Sequence, residues 1–178
     1  MKYLSKTLSA VLLAVAGMLN TNSSAGAKLD DATIFAIFDQ ANTADLWVGR
    51  LAVKKGVSED VRMLGKMVAV DHVVVQQMGR DLATKLGIIP TPPDNDNSAD
   101  NLAKTVAMLQ SKSGADFDRA YLRHEVAFHQ SVVDAIKTTL LPAVENEQLR
   151  ALINKVLPGF EHHLAETKAV AKKLGVDK

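Results

Sequence analysis

Four positions in the chain carry side chains that could do chemistry inside a helical core: Asp45, His72, His129 and His163. Each lies in a stretch where apolar residues recur every three or four positions, as on one face of an amphipathic helix. That spacing places all four on or beside buried faces, where carboxylates and imidazoles are costly unless they are paired or bind a metal ion. Imidazole with carboxylate suits zinc, copper, iron or manganese, and spacing alone does not choose between them.

Two further acidic residues stand next to these positions. The apolar spacing of the second helix places Asp71 itself on the buried face, with His72 beside it, so these two residues could exchange roles. We predict His72 as the ligand and Asp71 as the residue that orients a ligand by hydrogen bonding. Glu125, four residues before His129, is predicted for the same supporting role.

Two interpretations of this cluster stay open. The first is a site for one transition-metal ion, built from facing helices. The second is a buried polar network in which each aspartate accepts a hydrogen bond from a histidine and fixes the register of the helices.

Known catalytic patterns are missing from the chain. A di-iron carboxylate centre uses Glu-x-x-His on two helices, but Ala69 and Phe160 stand three residues before His72 and His163. The sequence therefore argues against a standard ferroxidase centre. It also contains no nucleophile elbow, glycine-rich phosphate loop or His-Glu-x-x-His motif, so it does not favour an enzyme.

Helices must position these side chains, and the pattern predicts an all-α fold. Connections are short except for a long one with three prolines after Leu86. This favours a ferritin-like four-helix bundle, whose single crossover carries a short extra helix, over a simple up-and-down bundle. Pro158 is predicted to bend the last helix without ending it. The predicted helices run from about Asp30 to Lys55, Ser58 to Leu86, Ala99 to Ser111, Asp116 to Leu141, and Glu147 to Leu174.

The first 27 residues have the pattern of a secretory signal peptide. Lys2 and Lys6 precede an apolar run at 8–19 that is too short to span a bilayer, and Ala25 and Ala27 form the small-x-small pattern of a cleavage site. We predict cleavage after about Ala27, which leaves residues 28–178 as a single helical-bundle domain in the periplasm. The mature part contains no run of about 20 apolar residues that would span a membrane.

Charge and cysteine content exclude some classes of function. The full chain has 21 basic and 20 acidic residues, and loss of Lys2 and Lys6 would leave 19 against 20, a net charge of −1. A nearly neutral surface gives no electrostatic case for nucleic-acid binding. With no cysteine in the chain, the packed core alone must stabilise the fold. The oligomeric state is not predicted by these features.

Three short motifs carry a resemblance to a known family. They are MVAVDH at 67–72, FDRAYL at 117–122 followed by His129, and LPGFEHHL at 157–164. In their order and spacing the chain resembles a bacterial exported family of unknown function, described as outer-membrane or secreted proteins and placed among ferritin-like helical bundles. Relatives commonly carry glutamate where this chain has Asp45. The resemblance implies a ferritin-like bundle and an envelope location, including association with the outer membrane, but no substrate.

Together these features lead to a functional hypothesis and an alternative. The hypothesis is an exported periplasmic protein that binds a metal ion or small ligand through its buried His/Asp cluster. The alternative is a structural or stress-related envelope protein in which the cluster is only a polar network.

Overall fold

The computed structural model describes residues 29–176, and all its regular structure is helical. The predicted signal peptide and its cleavage site lie outside the described residues. The all-α prediction is confirmed. Five helices are present: α1 (Asp31–Lys55), α2 (Glu59–Leu86), α3 (Ser98–Gln110), α4 (Gly114–Ala135) and α5 (Glu147–Lys173). A π-helical turn (Ile136–Leu140) and a last helical turn (Leu141–Ala143) extend α4 towards the connection with α5.

The helices α1, α2, α4 and α5 form the bundle, and α3 belongs to the crossover. Asp96, just before α3, accepts a hydrogen bond from Gln40 near the start of α1 (2.7 Å). At the other end of the bundle, Lys55 Nζ donates to the carbonyl oxygen of Lys112, just after α3 (2.6 Å). The chain therefore returns along α1 before α4 begins. As a result α2 and α4 run in one direction and α1 and α5 in the other, which confirms the single-crossover, ferritin-like layout.

Two aspartate contacts fix the ends of this arrangement. The carboxylate of Asp118 on α4 accepts from the backbone N–H groups of Val57 (3.0 Å) and Ser58 (2.8 Å) at the start of α2. At the opposite end, Asp31 accepts from the N–H of Asn146 (2.8 Å), in the connection before α5. Charged acceptors on helix N-terminal N–H groups are strong contacts, so they hold the helices in register.

Helices α1 and α2 pack closely because small residues face each other. A Cβ added at Gly65 would lie 2.6 Å from the Cβ of Ala52 and 2.7 Å from the carbonyl oxygen of Gly49. Only glycine permits this approach of the two backbones. Because the two backbones are so close, side chains next to this contact lie in the interior of the bundle.

The buried face of α2 agrees with the predicted one at Val61, Leu64 and Val68, but from residue 71 onward it differs by one residue position. The predicted face contained Asp71, Val75 and Met78, but the Asp71 side chain is 51% exposed and the Val75 and Met78 side chains are only partly buried. The prediction failed because the seam with α1 is built on small residues, whereas the larger Val70, Val73 and Val74 face outward. The buried residues of α2 include Gly65, Ala69, His72, Gln76 and Gly79.

Proline residues affect the last two long helices differently. The backbone N–H of Leu141 bonds to the carbonyl oxygen of Ile136, five residues earlier, directly before Pro142, which has no N–H to donate. The α-helical geometry of α4 therefore ends at Ala135 rather than near the predicted Leu141. In contrast, α5 continues through Pro158 to Lys173, as predicted for a helix that does not end there.

Candidate metal centre

A layer of polar side chains crosses the middle of the bundle. It separates an apolar core around Ile34, Phe128 and Ile153 from a second one around Val61, Phe117 and Leu122. All four bundle helices contribute side chains to this layer. It is therefore a cluster built by the whole bundle, and not one isolated polar residue in an apolar core. Its buried members are Asn42, Asp45, His72, Glu125, His129 and His163.

Three histidine rings converge in this layer. The ring centroids of His72 and His163 are 5.2 Å apart, those of His129 and His163 are 5.3 Å apart, and those of His72 and His129 are 5.8 Å apart. Each ring offers a nitrogen that lies within 4.8 Å of the other two. Phe160, one turn before His163 on α5, covers one side of the group, with its ring centroid 5.1 Å from that of His72.

Hydrogen bonding determines which nitrogen of His72 carries the proton. The Nδ2 of Asn42 donates to the carbonyl oxygen of Phe38 (2.7 Å), which leaves the amide oxygen of Asn42 as an acceptor. That oxygen is 2.8 Å from Nδ1 of His72. His72 must therefore donate from Nδ1, and its Nε2 carries a lone pair in the neutral ring.

The other two histidines are held in the same manner. Nδ1 of His129 faces the carbonyl oxygen of Glu125 at 3.2 Å, and Nε2 of His163 faces Oδ2 of Asp71 at 3.0 Å. Both partners can only accept, so these nitrogens are the donors. The remaining nitrogens, Nε2 of His129 and Nδ1 of His163, have lone pairs.

The three lone-pair nitrogens are also the ones with no hydrogen-bond partner among the described residues. Nε2 of His72, Nε2 of His129 and Nδ1 of His163 are all fully enclosed. Native proteins satisfy most of their buried polar atoms. A histidine that donates with its outer nitrogen and presents the inner lone pair is the arrangement that metal ligands adopt.

Asp45 enters the same space from α1. Its Oδ2 lies 3.1 Å from Nε2 of His72 and 3.4 Å from Nε2 of His129, and its side chain is 1% exposed. These contacts are close but are not aligned as hydrogen bonds, and both oxygens of Asp45 are without a hydrogen-bond partner in the described part of the chain. The carboxylate oxygens and the histidine nitrogens therefore lie close together without forming hydrogen bonds with one another.

Burial keeps the histidines neutral. It lowers the pKa of His72 well below 6.5, an effect that the neighbouring His129 and His163 add to, and it lowers the pKa of His129 to about 3. The pKa of His163 is also lowered by burial, against the opposing effect of its bond to Asp71. Neutral imidazole is the form that binds a metal ion.

Burial has the opposite effect on the carboxyl groups. It raises the pKa of both Asp45 and Glu125 well above their ordinary values. Without a cation the low-polarity surroundings favour the protonated acids. A bound cation would reverse that preference, because its charge stabilises carboxylates.

All six residues singled out by the sequence lie at or next to this layer. Asp45, His72, His129 and His163 come together in its interior. Asp71 lies at the surface and bonds to His163. Glu125 is fully buried, with its Oε2 3.4 Å from Nδ1 of His129. It therefore lies beside His129, the residue that the sequence analysis expected it to support.

Residues 16–170 match the model of a domain of unknown function, DUF4142. The chain belongs to the DUF4142 family. This confirms the resemblance to a family of unknown function, and the matched range contains every residue of the polar layer. No curated protein is significantly similar to the chain.

A solved structure has the same fold as this DUF4142 chain. The crystal structure of a DUF305 fragment from Deinococcus radiodurans superposes with a TM-score of 0.67 at 16% sequence identity, covering 81% of this chain and 94% of that one. The likeness supports the ferritin-like helical bundle. Between residues 29 and 176, no helix has the length and apolar character needed to cross a bilayer.

One member of this site in the DUF4142 chain was missed by the sequence analysis. Asn42 could have been found, because it lies three residues before Asp45 on the same helical face. Its side chain is fully buried.

Proposed function

We propose that this DUF4142 chain binds one transition-metal ion at the centre of the bundle. The ligands are Nε2 of His72, Nε2 of His129, Nδ1 of His163 and a carboxylate oxygen of Asp45. Three nitrogens and one oxygen suit zinc, copper, iron or manganese. Asp71 orients His163, and Glu125 orients His129 through its backbone carbonyl.

The observation that carries the proposal is the common orientation of the three rings. Each histidine donates its outer N–H to an acceptor, and each presents an inner lone pair that has no partner within residues 29–176. Three separate acceptors, on α1, α2 and α4, enforce this arrangement. A shared central ligand explains why all three lone pairs face one space.

A purely structural polar network explains the geometry less well. Such a network stabilises a core when its members satisfy one another. Here the inner nitrogens and both oxygens of Asp45 are unsatisfied. The alternative function, a structural or stress-related envelope protein, predicts that His163→Ala destabilises the fold and that no metal is found.

Metal analysis of the purified, untagged protein tests the proposal. We expect about one zinc, copper, iron or manganese ion per chain, or uptake of one equivalent by protein treated with a chelator. An ion at about 100 times its Kd adds about 2.7 kcal/mol of stability. For a domain of this size that raises Tm by roughly 5–10 °C, measurable by a thermal shift.

The exposed His162 provides the matched control, because its ring neighbours His163 but lies outside the cluster. His162→Ala should keep both the bound metal and the thermal shift, whereas His163→Ala should lose them. If the unaltered protein shows neither stoichiometric metal nor a shift with any of the four ions, the proposal is wrong.

We also propose that the protein acts in the periplasm. The signal-peptide pattern of residues 1–27 supports this location. Cell fractionation should recover the protein with the periplasmic or peripheral envelope fraction, and N-terminal sequencing should begin at about Lys28. Recovery of an uncleaved chain from the cytoplasm would contradict this part of the proposal.

A further inference from the structure

A second group of ligand-type atoms overlaps the three histidines, and it contains two carboxylates. Asp45, Glu125 and His129 each offer one donor atom, and these atoms lie within 4.8 Å of one another. Both carboxylates are at most 1% exposed. Among the described residues, neither oxygen of Glu125 and neither oxygen of Asp45 has a hydrogen-bond partner.

Tyr121 is a further, independent sign that this space is built for a ligand. Its side chain is fully buried, and its hydroxyl oxygen has no hydrogen-bond partner in residues 29–176. Buried tyrosine hydroxyls normally find a partner.

The order of residues along α4 explains this arrangement. Tyr121, Glu125 and His129 are spaced four residues apart, so they form one column on the helix. Asp45 faces that column from α1. Its Oδ2 approaches the histidine nitrogens, and its Oδ1 remains for a neighbour on the other side.

Proton sharing between the two acids does not account for all of these atoms. One shared proton satisfies one oxygen of Asp45 and one of Glu125. Within residues 29–176 neither of the two acids nor the Tyr121 hydroxyl makes a hydrogen bond with another of these groups. A cation can contact several oxygens at once, which no single proton can do.

We propose that Asp45, Glu125 and the Tyr121 hydroxyl oxygen hold a second divalent cation, with the Asp45 carboxylate bridging it to the ion on the histidines. This inference rests on the proposed function of the histidine position. The donors differ from the Glu-x-x-His pairs of di-iron carboxylate proteins. Oxygen donors favour manganese and other ions that prefer carboxylate ligands, whereas the histidine position favours zinc or copper.

Sequential loading with two metals tests the second position. Untagged, metal-free protein receives one equivalent of Zn²⁺ and is then titrated with Mn²⁺. Free Mn²⁺ is followed by its electron paramagnetic resonance signal, and bound metals are counted by elemental analysis. We expect one Zn²⁺ and one Mn²⁺ per chain.

Two near-isosteric variants separate the positions. Glu125→Gln should weaken Mn²⁺ binding at least 10-fold while one Zn²⁺ remains bound. Tyr121→Phe removes only the hydroxyl oxygen and keeps the buried ring, so it should weaken Mn²⁺ binding by several-fold without disturbing the packing. Glu161→Gln, which removes an exposed carboxylate paired with Lys137, should leave both metals unchanged.

The outcomes distinguish this inference from the proposed function. If the zinc-loaded protein binds no Mn²⁺, or if the Glu125 and Tyr121 variants bind it as tightly, the second position does not exist while the first one stands. Loss of Zn²⁺ together with Mn²⁺ in Glu125→Gln overturns the inference, because Glu125 then belongs to a single position. Failure of the unaltered protein to bind any of the four ions, zinc, copper, iron or manganese, overturns both proposals.

Discussion

Asn42 and Asp71 have the same role for two different histidines. Each accepts the outer N–H of an imidazole, Asn42 from inside the bundle and Asp71 from its surface. The choice of tautomer is therefore made by residues outside the proposed ligand set. Such partners normally contribute 10- to 100-fold to metal affinity.

Removal of one proposed ligand should weaken metal binding more than it weakens the fold. For His163→Ala we expect loss of the metal-induced rise in Tm, because one inner nitrogen is gone. The free energy of unfolding of the metal-free protein should fall by roughly 1–3 kcal/mol, since a buried ring and its hydrogen bond to Asp71 are removed. Isothermal titration and urea unfolding measure the two effects, and unchanged metal affinity would exclude His163 as a ligand.

The outer partner of His163 can be tested without disturbing the core. Asp71→Ala removes a half-exposed carboxylate, so we expect a 10- to 100-fold weaker metal affinity with little change in stability. Asp81→Ala is the control, because it removes an exposed carboxylate of the same helix that bonds to Gln77. Equal affinities of the two variants in a competition titration would show that Asp71 does not orient His163.

At the level of helices, the seam between α1 and α2 positions two of the four proposed ligands. Gly49 and Gly65 let the backbones approach, and Asn42 of α1 then reaches His72 of α2. The site depends on the distance between the α1 and α2 backbones, because the side chain of Asp45 is short. A helix pair held further apart would separate Asp45 from the histidines.

Widening the seam should therefore affect both stability and metal binding. In Gly65→Ala the new methyl group would meet Ala52 and the backbone of Gly49. We therefore expect the free energy of unfolding to fall by about 1–3 kcal/mol and metal binding to weaken. Gly159→Ala is the matched control, since its methyl group would meet nothing within 4 Å. It should gain roughly 0.5–1 kcal/mol from helix propensity. A Gly65→Ala protein as stable as the unaltered one in urea unfolding would contradict the close packing.

For the whole molecule, the buried titratable groups predict how stability depends on pH without metal. Burial lowers the pKa of His124 from 6.5 to about 4 and that of His129 to about 3. Below pH 6.5 the unfolded chain binds protons at these residues while the folded one does not. Each of these histidines therefore lowers the free energy of unfolding by up to about 1.4 kcal/mol for every pH unit below 6.5.

The buried acids act in the opposite direction. The raised pKa values of Asp45 and Glu125 mean that the folded chain keeps protons that the unfolded chain loses above their ordinary pKa values. Their contribution to stability therefore falls as pH rises. With the lowered pKa values of His72 and His163 added to the histidine effect, the metal-free protein should be most stable near pH 6.5.

Urea unfolding at pH 5, 6.5 and 8 in the presence of a chelator checks this optimum. His124→Gln should reduce the slope between pH 5 and 6.5 by up to the contribution of one proton, while the alkaline side stays unchanged. His124 lies outside the proposed ligand set, so this variant does not remove a ligand. Stability that is constant between pH 5 and 6.5 would contradict the assignment of neutral buried histidines.

The sequence by itself determined the helices, favoured the single crossover and indicated the positions of the proposed ligands, with Asp71 and His72 still exchangeable. Apolar spacing and the unequal connections carry this information locally, since helical periodicity and proline positions depend only on neighbouring residues. Only the tertiary structure decided that His72 and not Asp71 faces the interior, because the glycine seam with α1 sets the rotation of α2. It also decided that Glu125 lies beside Asp45. Contacts between helices distant in sequence, and the tautomers that they impose, follow from packing, which spacing along one helix does not encode.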